Sequence, residues 1–277
     1  MDSIRRDGAL SIPSAYKPME NSMRTLLGMT VATSLAFAST ALAGGKPTVV
    51  LVHGAFAGSS SWNGVIAELE KSGYRTVAAA NPLRSVAGDA AAVASLVLSI
   101  DGPVVLVDHS YGGPVITEAA NAAKNVKALV YVAAFAPDAG ESSLSLSSLL
   151  PGSTLGNALM PVAMADGSTD LYIQPEKFHT QFAADVPASV AELMAATQRP
   201  VAQAALEEAS GDAAWQMIPS YAIYGSADRN IPPAIMKLMA ERARSVKTVV
   251  IDGASHALMV SHPVEVATLI EEAASSQ

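Results

Sequence analysis

Val107-Asp108-His109-Ser110-Tyr111-Gly112-Gly113 decides the fold. In front of it stands Val104-Val105-Leu106-Val107, a continuous apolar run rich in β-branched residues. Behind it, Pro114 to Ala123 carries a helical pattern. A serine set between a buried strand and a helix is forced out above the sheet edge with its hydroxyl exposed. Such a turn needs small residues, because it is tight and the helix must pack close to the strand. Gly112 and Gly113 meet that need. The full pattern is Gly-x-Ser-x-Gly, and here Asp108 stands where the first glycine belongs.

Working outward, the same strand signal recurs at Thr48–Val52, Ala128–Val132, Tyr221–Tyr224 and Thr248–Ile251. Unbroken apolar runs suit strands covered on both faces, as in parallel sheets. Helical patterns lie between them, at Trp62–Lys71, Asp89–Leu98, Pro233–Ala243 and Val264–Ala274. The last has Ser261 as candidate N-cap and Pro263 at its first position. This alternation predicts an α/β fold, a mostly parallel sheet flanked by helices and joined by right-handed crossovers. Residues 138–218 break the rhythm. They hold Leu144, Leu146, Leu149, Leu150, Met160 and Met164, then helical pieces near Phe178–Phe182, Ala188–Met194 and Val201–Glu208. They read as a helical cap inserted into a core made of 44–137 and 219–277.

The first 43 residues read as processing signals rather than fold. Arg24 precedes the apolar run Leu26–Phe37, and Ala41-Leu42-Ala43 supplies small residues before a cut. That is the pattern of a secretory signal peptide, with an ordinary apolar helix as the alternative. Residues 1–22 form an upstream extension. The apolar run is too short to span a bilayer, so no stable membrane insertion is expected. The chain is expected to be exported, to a periplasm or the medium, after cleavage near Ala43. Composition excludes other classes. A net charge of −8 offers no basic face for nucleic acid. With no cysteine, disulfides, thiolate nucleophiles and cysteine-based metal sites are ruled out. Neither His-Glu-x-x-His nor a glycine-rich phosphate or dinucleotide loop occurs.

Ser110 needs a base, because a free serine is a poor nucleophile at neutral pH. His256 follows the last strand, at the same carboxyl edge of the sheet as Ser110, so both can meet over one crevice. His109 is a minor alternative, His262 reads as structural, and His179 as surface or pocket wall. A carboxylate must then fix the tautomer of the base. Asp228, after Tyr221–Tyr224, is the first candidate; Asp138 is the runner-up, and Asp252 reads as a strand-exit cap. The order Ser110, Asp228, His256 is one known serine–acid–histidine order. Acyl transfer also needs donors to a developing oxyanion. Gly54, after the first strand, lets the chain turn inward, so that the N–H of Ala55 (less readily that of Phe56) can face the site with that of Tyr111. His53-Gly54 read alone is a simple strand-exit turn.

These features resemble the α/β-hydrolase superfamily. Val52–Trp62, Asp108–Gly113, Ala133–Pro137, Tyr224–Pro233 and Gly253–Pro263 are similar to its small-esterase branch, near plant methylesterases and hydroxynitrile lyases. The resemblance covers about residues 46–275. It implies an eight-stranded sheet, a cap over the site and no cofactor. It also implies Ser110 as nucleophile, His256 as base, Asp228 as acid, and Ala55 and Tyr111 as backbone oxyanion donors. Two departures count. Asp108 crowds the turn and puts a carboxylate near the site. Ala257 stands where the lyases of this branch carry a lysine, which argues against cyanohydrin chemistry. The expected reaction is hydrolysis of a small or medium, largely apolar ester through an acyl-enzyme. The expected pocket wall is Phe56, Tyr111, His53, Phe178, Phe182 and Met160, with Met194 a further candidate. Other triad chemistry (a lyase, C–C hydrolysis, perhydrolysis) and a non-enzymatic ligand receptor remain the alternatives.

Overall fold

The structure, a computed structural model, describes residues 45–276. The signal-peptide and extension readings of residues 1–43 lie outside these. In chain order the elements are β1 (Thr48–Val52), α1 (Asn63–Lys71), β2 (Thr76–Ala79), α2 (Val86–Leu98), β3 (Val104–His109), α3 (Gly112–Ala122) and β4 (Val126–Val132). Residues 138–218 then add α4 (Ser143–Leu149), β5 (Leu159–Ala163), β6 (Thr169–Ile173), α5 (Pro175–Phe182), α6 (Ala188–Thr197), β7 (Val201–Ala202) and α7 (Gln203–Glu207). The chain closes with β8 (Ser220–Gly225), α8 (Pro233–Arg242), β9 (Lys247–Ile251), α9 (Leu258–Ser261) and α10 (Pro263–Ser275).

Six strands form one parallel sheet in the order β2-β1-β3-β4-β8-β9. Every residue of β1, β3 and β8 is buried, which is why their sequences carry no polar alternation. The family resemblance implied eight strands; six are found among the described residues. Among the described residues only 45–47 precede β1, and β5, β6 and β7 pair with one another in a separate antiparallel sheet instead of extending the main one. Residues 138–218 are therefore part helix and part sheet rather than helical throughout. The start of the last helix also differs from expectation. His262 is its N-cap and Pro263 its first residue, while Ser261 ends the short α9 before it.

Strand order places the crevice. The chain steps from β1 outward to β2, then returns past β1 to β3, so the crossovers run in opposite directions. Right-handed crossovers then put α1 and α2 on opposite faces, and a gap opens above the carboxyl ends of β1 and β3 where the direction reverses. Val52 pairs with Asp108, so residues 53–55 leave the sheet beside residues 109–111. Two glycines let the layers close. A Cβ on Gly113 would sit 1.8 Å from the Phe135 carbonyl oxygen, and one on Gly225 would sit 2.0 Å from that of Ala254. The second approach lets the exits of β8 and β9 lie side by side, with the Ala227 N–H donating to the Ala254 carbonyl at 3.1 Å.

Gly113→Ala should therefore cost stability by overpacking, on the order of 1–3 kcal/mol, read as a lower urea midpoint. Gly156→Ala, where a Cβ meets nothing within 4 Å, should leave the midpoint in place.

Candidate active site

Ser110 sits at φ +57°, in the left-handed region that a side chain seldom adopts. Its turn is pinned from both sides. The Ser110 N–H donates to the Val132 carbonyl at 3.3 Å. Its own carbonyl accepts from the N–H groups of Gly113, at 3.1 Å, and Phe135, at 3.3 Å. Gly54 presses on the same turn: a Cβ there would lie 2.4 Å from the His109 carbonyl oxygen and 2.7 Å from the Ser110 Cβ. The Tyr111 hydroxyl donates to Asp89 Oδ2 at 2.9 Å, which ties the turn to α2.

Three side chains from three strand exits converge here. His256 Nε2 lies 2.9 Å from Ser110 Oγ, and His256 Nδ1 lies 2.7 Å from Asp228 Oδ2. All three residues are buried or nearly so. The hydrogen-bond partners assign the proton to Nδ1, leaving Nε2 free to accept from the hydroxyl. Asp228 Oδ1 accepts from the N–H groups of Asn230, at 2.7 Å, and Ile231, at 3.0 Å, so the carboxylate cannot rotate away. Asp138, the alternative acid, lies elsewhere. Its Oδ1 accepts from the Ala139 N–H at 2.9 Å and from Gln216. Asp252 accepts from the Ser226 hydroxyl at a strand exit.

The end of α5 grips both loops, a feature that no local sequence signal marks. Gln181 Nε2 donates to the Arg229 carbonyl at 2.9 Å and to Asn230 Oδ1 at 2.8 Å, while its Oε1 accepts from Thr154 at 2.8 Å. The Phe182 carbonyl accepts from the Ala257 N–H at 3.0 Å. Asp185 accepts from the Ser255 hydroxyl. Residues 181–185 thus hold the loop of Asp228 and the loop of His256 at once.

The remaining histidines do other work. His109 is fully buried against the His256 ring, centroids 4.6 Å apart, and its Nε2–H donates to the His256 carbonyl at 3.1 Å. His179 bonds the Val186 carbonyl, and His262 lies 3.4 Å from Asp185. His53 is not a pocket residue. Its ring is buried between the Gly54 carbonyl and the Asn81 N–H, and that burial lowers its pKa to about 4. Burial likewise holds His109 well below the ordinary histidine value. Asp108 is fully buried, and neither carboxyl oxygen finds a partner among the described residues. Burial pushes this carboxyl well above the usual range, which favours its neutral form.

Ser110 opens into a cavity of about 120 Å³. Its wall includes Phe56, Phe135, Leu144, Leu155, Leu206 and Ile231, with Ala55 and Tyr111 at the serine end. Neither the Ala55 nor the Tyr111 N–H donates a hydrogen bond among the described residues, whereas that of Phe56 is spent on the Arg199 carbonyl at 2.9 Å. Of the expected wall only Phe56 and Tyr111 line this cavity. Phe178 and Phe182 are fully buried, with Phe182 edge-on behind His256 at 5.0 Å. Met160 is exposed, on the outer strand of the small sheet. Among the described residues no three His, Asp or Glu side chains are grouped to hold a metal ion, and no helix is long and apolar enough to cross a membrane.

Comparison with known proteins follows the same lines. A model of the alpha/beta hydrolase family matches residues 49–269. A carbendazim hydrolyzing esterase of Nocardioides sp. (strain SG-4G) is 33% identical over 113 residues, covering 35% of this chain and 46% of that one. The chain thus matches less than half the length of that relative. Polyneuridine aldehyde esterase superposes with a TM-score of 0.72 at 20% identity, over 82% of this chain and 99% of that one. A methylesterase from Arabidopsis gives 0.70 at 18% identity, over 83% and 100%. At these identities the likeness to the solved structures is one of fold.

The buried groups set two opposing pH dependences. Burial lowers the pKa of both His53 and His109 on folding, so stability should fall as pH drops below about 6.5, the His53 share of that loss running down to about pH 4. Asp108 works the other way: neutral when folded and ionised when unfolded, it should cost more stability as pH rises above about 3.9. Urea unfolding across pH checks both. The gain in stability from Asp108→Asn should grow from pH 4 to pH 8.

Proposed function

The chain belongs to the alpha/beta hydrolase family, and we propose that within it this protein is a serine esterase cleaving small or medium, largely apolar esters. The observation that carries this reading is the unbroken relay from Ser110 Oγ through His256 to Asp228, with links of 2.9 and 2.7 Å. Ser110 Oγ attacks the ester carbonyl as His256 Nε2 takes its proton. The negative charge on the carbonyl oxygen is received by the N–H groups of Ala55 and Tyr111. Collapse expels the alcohol, which leaves with the proton held by His256. Water then repeats the sequence on the acyl-serine and releases the acid. Asp228 stays ionised and steadies the imidazolium. His53 and His109, both neutral, put no second positive charge beside that imidazolium. The apolar wall of the 120 Å³ cavity supports an apolar substrate half, and residues 138–218 serve as the cap over it. Export after cleavage near Ala43 is part of the same proposal and rests on the sequence of residues 23–43.

A fluorophosphonate should label the protein at Ser110, and Ser110→Ala should lose both labelling and turnover of p-nitrophenyl esters while keeping its urea midpoint. Comparable kcat in that variant would reject the mechanism. Asp228→Asn should lower kcat by a factor on the order of 10⁴; if Asp138→Asn does so instead, the acid is misassigned.

A further inference from the structure

Residues 138–218 meet the core at a second place, and it backs onto the other half of the site. Arg84 stands in the loop before α2. Its Nη1 donates to Asp170 Oδ1 at 2.6 Å and its Nη2 to the Pro200 carbonyl at 3.1 Å. The Leu83 carbonyl accepts from the Ala202 N–H at 3.0 Å. Glu208 accepts from the N–H groups of Val86, at 2.6 Å, and Ala87, at 3.1 Å, where α2 begins. Leu83 itself is left-handed at φ +63° and fully buried. A residue strained in that way persists only where its surroundings over-determine it, and these bonds do so.

The product of this bracing is a fixed acceptor. Asp89, in the first turn of α2, is buried. Its Oδ1 accepts from the Arg84 N–H at 3.1 Å, which leaves Oδ2 to accept from the Tyr111 hydroxyl at 2.9 Å. Tyr111 is buried as well and lines the Ser110 cavity.

The hydroxyl bond reaches the reacting atoms through one peptide plane. The Tyr111 N–H shares a rigid plane with the Ser110 carbonyl. That carbonyl accepts from the N–H groups of Gly113 and Phe135. Two bonds to one oxygen fix one end of the plane, and the plane can still pivot about it. The tyrosine side chain leaves from the Cα at the other end. With its hydroxyl tied to α2, that end has an anchor too, and the pivot is closed. A donor serves an oxyanion only when it is aimed beforehand at the place where charge will form.

We propose that Asp89 is a positioning residue for ester cleavage: by holding the Tyr111 hydroxyl it aims the Tyr111 N–H at the oxyanion, while residues 138–218 brace the loop that holds Asp89. This rests on the serine esterase reading above.

Tyr111→Phe tests it, because that variant loses the hydroxyl and keeps the ring and the N–H. Activity is expressed as kcat per Ser110 titrated with fluorophosphonate, so that any loss of folded protein cancels. On p-nitrophenyl acetate this kcat should fall at least ~10-fold, part of the ~10²–10³ that loss of a whole oxyanion donor costs, with KM unchanged. An aryl trifluoromethyl ketone gives a second readout. Ser110 Oγ bonds to its carbonyl carbon, the hydroxyl proton passes to His256 Nε2, and the carbonyl electron pair moves onto the oxygen, so affinity for the ketone reports on the oxyanion itself. That affinity should fall by a similar factor. Asp89→Ala should reproduce both losses, and combining it with Tyr111→Phe should lower neither value further, since one interaction is lost only once. If Asp89→Ala does not fold, Tyr111→Phe decides alone. Unchanged kcat per site or ketone affinity in Tyr111→Phe, or a loss confined to KM, overturns the proposal. So do losses that multiply in the double variant. A protein that labels at Ser110 and cleaves esters while these variants match the wild type refutes the role of Asp89 alone, whereas one that neither labels nor cleaves any ester refutes the esterase reading itself.

Discussion

The left-handed turn at Ser110 exists because two backbones approach it more closely than any side chain would permit. Gly54 brings the exit of β1 against the His109 carbonyl, and Gly113 brings α3 against the Phe135 carbonyl. A left-handed non-glycine residue costs roughly 1–3 kcal/mol. Here that cost is offset by three backbone hydrogen bonds at Ser110 alone. The same squeeze aligns the functional parts. It lifts the hydroxyl out of the sheet, sets the Tyr111 N–H at the start of α3, and brings the Ala55 N–H to the same cavity. The position of every other group at the site is set relative to this turn.

Much of the core was legible because buried parallel strands are continuous apolar runs. β1, β3, β4 and β8 announce themselves in this way, whereas β9, read from the same kind of run, is a largely exposed edge strand. β2 does not. Its four residues, Thr76-Val77-Ala78-Ala79, form a half-exposed edge, too short and alanine-rich to stand out. The positions of Ser110, Asp228 and His256 could be read because each follows a readable strand, and strand exits in a parallel sheet share one edge. The pocket wall could not. Phe178 and Phe182 look like lining residues in a list of aromatics, but the amphipathic face of α5 turns them inward, behind His256. The actual wall draws on Leu144, Leu155 and Leu206, whose placement depends on how residues 138–218 fold back over the core. The strand count failed for a related reason, since β5, β6 and β7 satisfy one another and never reach the main sheet.

Electrostatically the triad lies among buried groups whose charged forms burial disfavours. Asp108 is the clearest case. Substituting the usual small residue, it places a carboxyl in the layer between β3 and α3 with no partner among the described residues. Unpaired charge there would be far costlier than a neutral acid, so the group gives up its charge. The result is two aspartates in contrasting surroundings. Asp228 is held by two backbone N–H groups and a histidine, and Asp108 by nothing polar.

Gln181, Phe182 and Asp185 divide residues 138–218 into two kinds of sequence. The short stretch that grips the two loops is bound to the proton path, and drift there would misalign it. Met160, Val162, Leu193 and their neighbours stand on the outside and answer to no such demand. Selection can thus rewrite most of this segment, and with it the shape of what is admitted, while the machinery beneath stays in register.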